Sequence, residues 1–133
     1  MSEAETIATE FIRRIANEAR SVITDSTARM LVLAWAGDGV CSANVFHEQL
    51  ADNTVRFHFG TTCLMELVSA FREIPTSLHP QLWSGFALAI DDDDFSIEFF
   101  YQKIDDSFDP LEFRNRHVHS HFGDLPIKYP QRG

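Results

Sequence analysis

Apolar residues recur along this chain in two periods, one typical of helices and one typical of strands. Across Glu3–Ser21 they return every three or four positions, which predicts an amphipathic helix. The same spacing over residues 62–74 predicts a second helix. Asp109 followed by Pro110 is typical of a helix start, so a third helix is predicted over residues 110–122.

Five further segments have the length and residue types of β-strands. The first is a continuous apolar run, and Gly37-Asp38-Gly39 after it favours a tight turn into the second. The third alternates strictly between apolar and polar residues. The last two are rich in aromatic residues and flank a polar cluster, which is typical of a β-hairpin. The predicted strands cover approximately residues 29–36, 40–47, 54–59, 83–90 and 95–101.

Short links between consecutive strands favour antiparallel pairing. The sequence therefore predicts an α+β fold in which a five-stranded, mainly antiparallel sheet carries its helices on one face. The predicted element order is α-β-β-β-α-β-β-α. We expect the other face of the sheet to be partly open, and a single domain to span residues 1–133.

Composition narrows the class of protein further. A hydrophobic content of 44% and twelve phenylalanines are typical of a folded globule. No apolar run approaches the roughly 20 residues that cross a bilayer. The acidic start of the chain lacks the apolar core of a signal peptide, so we expect a cytoplasmic protein. Cys41 and Cys63 lie on separate predicted elements and are expected to be small buried hydrophobic residues.

The negative charge is concentrated in one part of the chain. Nine of the twenty acidic residues and only one of the eleven basic residues, Lys103, lie between Asp91 and Glu112. Such a run can be a solvated turn that keeps the protein soluble, or it can be a surface that binds a partner protein. Direct binding to nucleic acid or to anionic membranes is not expected, because both require concentrated Lys and Arg.

Catalytic chemistry is not indicated by the sequence. His117 and His121 lie one turn apart on the third predicted helix, but a zinc site needs a third ligand, which Asp124 or a hairpin acid would have to supply. The aspartates at the hairpin tip lack the unequal environments that separate the pKa values of catalytic carboxylates. Ser84 and Ser96 lack the glycine-flanked turn of a hydrolase nucleophile. We therefore expect no enzymatic activity, no cofactor and no structural metal.

The C-terminal half resembles the YezG-like immunity family, whose members are antitoxins of bacterial polymorphic toxin systems. The shared pattern is a Trp, a strand of the form Phe-x-Leu-x-Ile-Asp, a polar tip, the segment Phe-Ser-Ile-Glu-Phe-x-Tyr, then Asp-Pro-x-x-Phe-Arg and a late Gly-x-x-Pro. The positions that carry it are Trp83, Phe86, Leu88, Ile90, Asp91, Phe95, Ile97, Glu98, Phe99, Tyr101, Asp109, Pro110, Phe113, Arg114, Gly123 and Pro126. The first half departs from the pattern, since it has Val45, Phe46, Phe57 and Phe59 where the family has tyrosine-rich strands.

This resemblance implies an immunity protein that neutralises a cognate toxin domain, with a basic nuclease as the expected toxin. The acidic surface is the expected contact, because charge complementarity speeds and orients association. We expect the protein to be a monomer or a weak homodimer. The alternative function is a type III secretion chaperone that binds an effector segment. The predicted toxin-binding residues are Asp91, Asp92, Asp93, Asp94, Glu98, Asp105, Asp106, Asp109 and Glu112.

Overall fold

A computed structural model describes residues 3–23, 29–37, 40–49, 51–74, 83–91, 94–101, 104 and 107–129. These residues form three helices and a single sheet of six strands. In chain order the elements are α1 (Glu3–Ser21), β1 (Met30–Gly37), β2 (Val40–Gln49), β3 (Thr54–Phe59), α2 (Thr62–Arg72), β4 (Gly85–Asp91), β5 (Asp94–Phe100), α3 (Pro110–Phe122) and β6 (Ile127–Lys128). No helix within the described ranges is long and apolar enough to cross a membrane.

The strands lie in the order β5-β4-β1-β2-β3-β6. All neighbours pair antiparallel except β3 and β6, which are parallel. The α+β class, the mainly antiparallel sheet and the element order as far as α3 are thus confirmed. The sequence did not predict β6, because its two residues are too few to show a period. The sheet therefore has six strands instead of five.

Helices cover both faces of the sheet, which corrects the prediction that they share one face. Alternate residues of β1 belong to two separate cores, with Val32 on one side and Leu33 on the other. We call the side of Val32, which α1 and α2 cover, the first face, and the side of Leu33, where α3 packs, the second face. The continuous apolar run of β1 is explained by this arrangement, since a strand buried on both faces has no polar side.

Aromatic residues pack densely on the first face. Phe71 of α2 is 1% exposed, and its ring stacks on Phe11 of α1 with centroids 5.8 Å apart. The same ring lies 5.7 Å from Trp83 and 6.2 Å from Phe86. Because these side chains come from both helices and from the β4 end of the sheet, they fix the two helices against the strands.

Burial differs between the two cysteines and between two phenylalanines of β5. Cys63 is exposed on the first turn of α2 and Cys41 is half-buried, so the expectation that both are buried was wrong for Cys63. Phe99 is half-buried against the first-face core, whereas Phe95 is 38% exposed. The two residues lie at opposite ends of β5, for which the described residues show a neighbouring strand on one side, and Phe95 is close to the hairpin tip.

Candidate functional site

The hairpin carboxylates within the described residues share one face of the sheet. Antiparallel pairing of β4 with β5 places Asp91 opposite Asp94 and Ala87 opposite Glu98. Side chains of directly opposed residues point to the same face, and alternate residues of a strand do so too. Asp91, Asp94 and Glu98 therefore all lie on the second face, beside α3. The aromatic residues of β5, Phe95 and Phe99, point to the first face instead.

A groove lies between β5 and α3. Its floor is made by Leu31, Ala87 and Ala89, and the two alanines are too short to fill the space between β5 and the helix. Ser96 and Glu98 form one wall, and the α3 residues His117, Ser120 and His121 form the other. The cavity measures about 180 Å³. The groove is thus large enough for part of a side chain from another molecule.

His117 and His121, the two histidines of the groove wall, are partly buried. Their surroundings favour the neutral form of the imidazole ring. Burial is the main cause that lowers the pKa of His117 and of His121 below the ordinary value, and the charges of Arg116 and Arg29 respectively lower it further. Glu98 opposes the shift at His117, and Asp91 opposes it at His121. The Nε2 atoms of both rings are buried and have no hydrogen-bond partner within the described part of the chain.

A metal site is not assembled around these histidines. The described ranges contain no group of three His, Cys, Asp or Glu side chains that could hold a metal ion. Asp124, which the sequence offered as a third ligand, contacts His119 instead, with 3.3 Å between Oδ1 and Nδ1. His119 is exposed on another side of α3 from His117 and His121, because residues two apart on a helix diverge by more than a right angle.

The carboxylates in and beside the groove are not neutralised from within the described structure. Asp91, Asp94 and Glu98 are exposed and make no ion pair with another described residue. Several acids elsewhere do have a basic partner; Glu48, for example, accepts from Arg29, and Asp52 lies 2.9 Å from Arg56. Like charges on directly opposed strand positions, as at Asp91 and Asp94, are destabilising. Their presence is therefore not explained by stability.

Two of the predicted toxin-binding residues, Asp109 and Glu112, lie away from the groove. Asp109 caps α3, its carboxylate accepting hydrogen bonds from the backbone N–H groups of Leu111 and Glu112 at 3.1 and 3.2 Å. Glu112 lies 3.8 Å from Arg116 one turn later. Both acids line a larger, open cleft of about 680 Å³ on the opposite side of α3 from the groove. The structure thus does not bring them together with Glu98. The remaining predicted toxin-binding residues, Asp92, Asp93, Asp105 and Asp106, lie outside the described residues.

Sequence reasoning missed the residues that shape the groove. Ala87 and Ala89 alternate with Phe86, Leu88 and Ile90, and this alternation of small and large residues was the available signal. This alternation leaves only small side chains on the second face of β4, so that face is not filled by the strand's own residues. The role of His117 and His121 as a wall had no such signal, because it depends on where α3 packs.

Comparison with models of known protein families finds no match, and comparison with curated proteins finds none either.

Proposed function

We propose that this protein is an immunity protein that binds and neutralises a bacterial toxin domain through the acidic second face of its β4–β5 hairpin. The expected partner is a basic nuclease domain, and the expected location is the bacterial cytoplasm. The observation that carries the proposal is the set Asp91, Asp94 and Glu98: three exposed carboxylates on one face, beside a groove, without a described counter-ion.

Electrostatics favours a basic protein as the partner. Carboxylates held close together repel one another in the free protein. A cationic group of a partner lowers their electrostatic free energy by acting as the counter-ion, so binding relieves this repulsion. Nuclease toxins bind phosphates through basic clefts and offer such cations. Inhibition of this kind requires an occupied surface and no catalytic group on the inhibitor.

The resemblance to YezG-like immunity proteins supports the same function from an independent direction. Several of its motif positions lie on the hairpin that carries the acids, including Asp91 and Glu98. The motif also includes Asp109 and Gly123, which begin and end α3, the helix that forms the other wall of the groove.

The direct experiment is co-expression with a candidate toxin, sought among the genes that neighbour this one. Growth should be restored by the wild-type protein, and the two proteins should co-elute as a complex with a fixed stoichiometry. Reversal of Asp94 and Glu98 to Lys should leave the melting temperature nearly unchanged, because both side chains are exposed and exposed charges contribute little to stability. The same reversal should slow association. Failure of the wild-type protein to protect, together with a stable homodimer that holds an extended effector segment, would favour the secretion chaperone instead.

A further inference from the structure

The groove between β5 and α3 has the size of one side chain. Its cavity of about 180 Å³ is smaller than the roughly 300 to 1,000 Å³ of small-molecule pockets. Leu31 and two alanines make its floor apolar, whereas hydroxyl, imidazole and carboxylate groups line its walls. A long side chain with an aliphatic stem and a charged head matches this division, because the stem covers apolar surface while the head reaches polar groups.

Glu98 lines this groove without a cation beside it. Among the described residues, no Lys or Arg lines the groove. The two arginines whose charges act on the groove histidines are paired with other acids: Arg29 donates from Nε to Glu48 at 3.0 Å, and Arg116 lies 3.8 Å from Glu112. Burial lowers the pKa of both histidines, so they are uncharged near neutral pH and leave the groove negative.

The histidine wall contributes hydrogen-bond acceptors. The buried Nε2 atoms of His117 and His121 have no hydrogen-bond partner among the described residues. The backbone carbonyl of Met30 is an acceptor for His121, and we assign this contact to Nδ1 because Nε2 is unpartnered. In the neutral ring the proton then resides on Nδ1, and Nε2 keeps a free lone pair. A ligand with several donors matches this wall together with the carboxylate and hydroxyl groups opposite.

We infer that the groove receives one arginine side chain of the proposed partner, whose guanidinium pairs with Glu98 while its stem lies on the alanine floor. The inference rests on the proposed function and names the residue type that anchors the partner. Arginine suits the groove better than lysine, because its guanidinium has five donors in one plane, stacks on planar rings and is more weakly hydrated than an ammonium group. Asp91 and Asp94 lie outside the groove lining and remain available to steer association.

Three tripeptides with blocked ends, Gly-Arg-Gly, Gly-Lys-Gly and Gly-citrulline-Gly, are the probes. Citrulline has the shape of arginine without its charge. Each peptide is titrated into the full-length protein in the presence of a chelator, and amide spectra locate the binding. We expect the arginine peptide to shift the amides of residues 96–98 and 117–121 at millimolar concentration. The lysine peptide should bind about threefold or more weakly, and the citrulline peptide about tenfold or more weakly.

Two variants separate the groove from the general charge of the hairpin. Ala89→Leu places a larger side chain on the groove floor and leaves every charge in place, so it should weaken the arginine peptide about tenfold or more. Ala70→Leu, at an exposed alanine of α2, is its control. Glu98→Gln should weaken the peptide by a similar factor, and Glu66→Gln, an exposed acid on α2, should not. Should Ala89→Leu not fold, Glu98→Gln carries the test alone.

Acid tests the part played by the histidines. As pH drops below about 6.5, protonated histidines add positive charge beside the guanidinium, so affinity for the arginine peptide should fall about fourfold. In the double variant His117→Asn with His121→Asn, this pH dependence should be lost. Amide spectra at each pH verify that the protein is still folded.

Several results would overturn the inference. They are equal affinities for the arginine and lysine peptides, shifts confined to the hairpin, full binding by a folded Ala89→Leu variant, and no binding at high millimolar peptide. If the arginine peptide fails while the toxin is still bound through the hairpin acids, only the arginine anchor is wrong. If the peptide binds as expected and no toxin is neutralised, the proposed function is wrong and the groove remains a site for arginine.

Discussion

The two faces of the β4–β5 hairpin differ in what they carry: aromatic core residues on the first face and exposed carboxylates on the second. On the first face, Phe86 and Phe99 join a dense aromatic core with Phe71 and Trp83, and two helices cover it. On the second face, α3 packs mainly against the other strands and leaves a groove above Ala87. Within the hairpin, the denser aromatic packing therefore lies on the first face. The other face is free to carry carboxylates that the fold itself does not need.

Removal of Phe71 should give the largest effect and measures how strongly the first-face core stabilises the fold. The ring is 1% exposed and contacts Phe11, Trp83, Phe86 and Phe99. Phe71→Ala should lower the free energy of unfolding by about 3 to 5 kcal/mol, because it removes apolar burial and leaves a cavity. Chemical denaturation measures the change. Phe59→Ala, at a ring that is 66% exposed, is the matched control and should cost less than about 1 kcal/mol.

Phe99→Ala tests how far the aromatic core extends toward the edge. This ring is only half-buried, although its centroid lies 5.8 Å from that of Trp83. We expect a loss of about 2 kcal/mol, between the Phe71 variant and the exposed control, since less apolar surface is removed. A loss as large as that of the Phe71 variant would mean that the edge is as tightly packed as the centre.

Acid should weaken the fold through histidines on both faces. The pKa values of His58, His117 and His121 are lowered, chiefly by burial. The unfolded chain therefore takes up protons first, and stability should fall as pH drops below about 6.5 and level off below the folded-state pKa values. Urea midpoints between pH 7.5 and pH 5 measure this slope.

A double variant, His117→Asn with His121→Asn, separates the contribution of the second-face histidines to the pH dependence of stability from that of the first face. Its stability should depend less on pH than that of the wild type, and what remains should reflect His58, whose pKa is also lowered by His47 and Arg56. His119→Asn, on the exposed side of the same helix, is the control. An unchanged slope in the double variant would mean that the groove histidines do not contribute.

The helix cap at Asp109 should give a smaller effect and shows which acids are structural. Asp109→Ala should cost about 1 kcal/mol, because two backbone donors at the start of α3 lose their acceptor. Asp109→Asn should restore most of that stability without restoring the charge. Thermal unfolding compares the three proteins. Full toxin binding by the Asn variant would exclude Asp109 from the contact surface.

Local signals explain which parts of the fold the sequence could predict. The observed bounds of α3 and β3 agree with the approximate ranges predicted, because Asp109 and Gly123 delimit the helix and strict alternation delimits the strand. The face that α3 covers was predicted wrongly, since periodicity shows that an element has an apolar side but not which surface it meets. The acids of the hairpin were visible in the sequence, whereas the groove beside them exists only after α3 has packed.

The most direct measurement compares two variants that remove the same charge from different places. Asp94→Asn with Glu98→Gln removes two of the three described acids on the second face of the hairpin, and Glu66→Gln with Glu73→Gln removes two exposed acids on and just after α2. Association with the toxin is followed at low and at physiological salt. The hairpin variant should associate about tenfold more slowly at low salt, the α2 variant should match the wild type, and salt should narrow the difference. Equal rates for the two variants would contradict the account, because the acids would then act only through net charge.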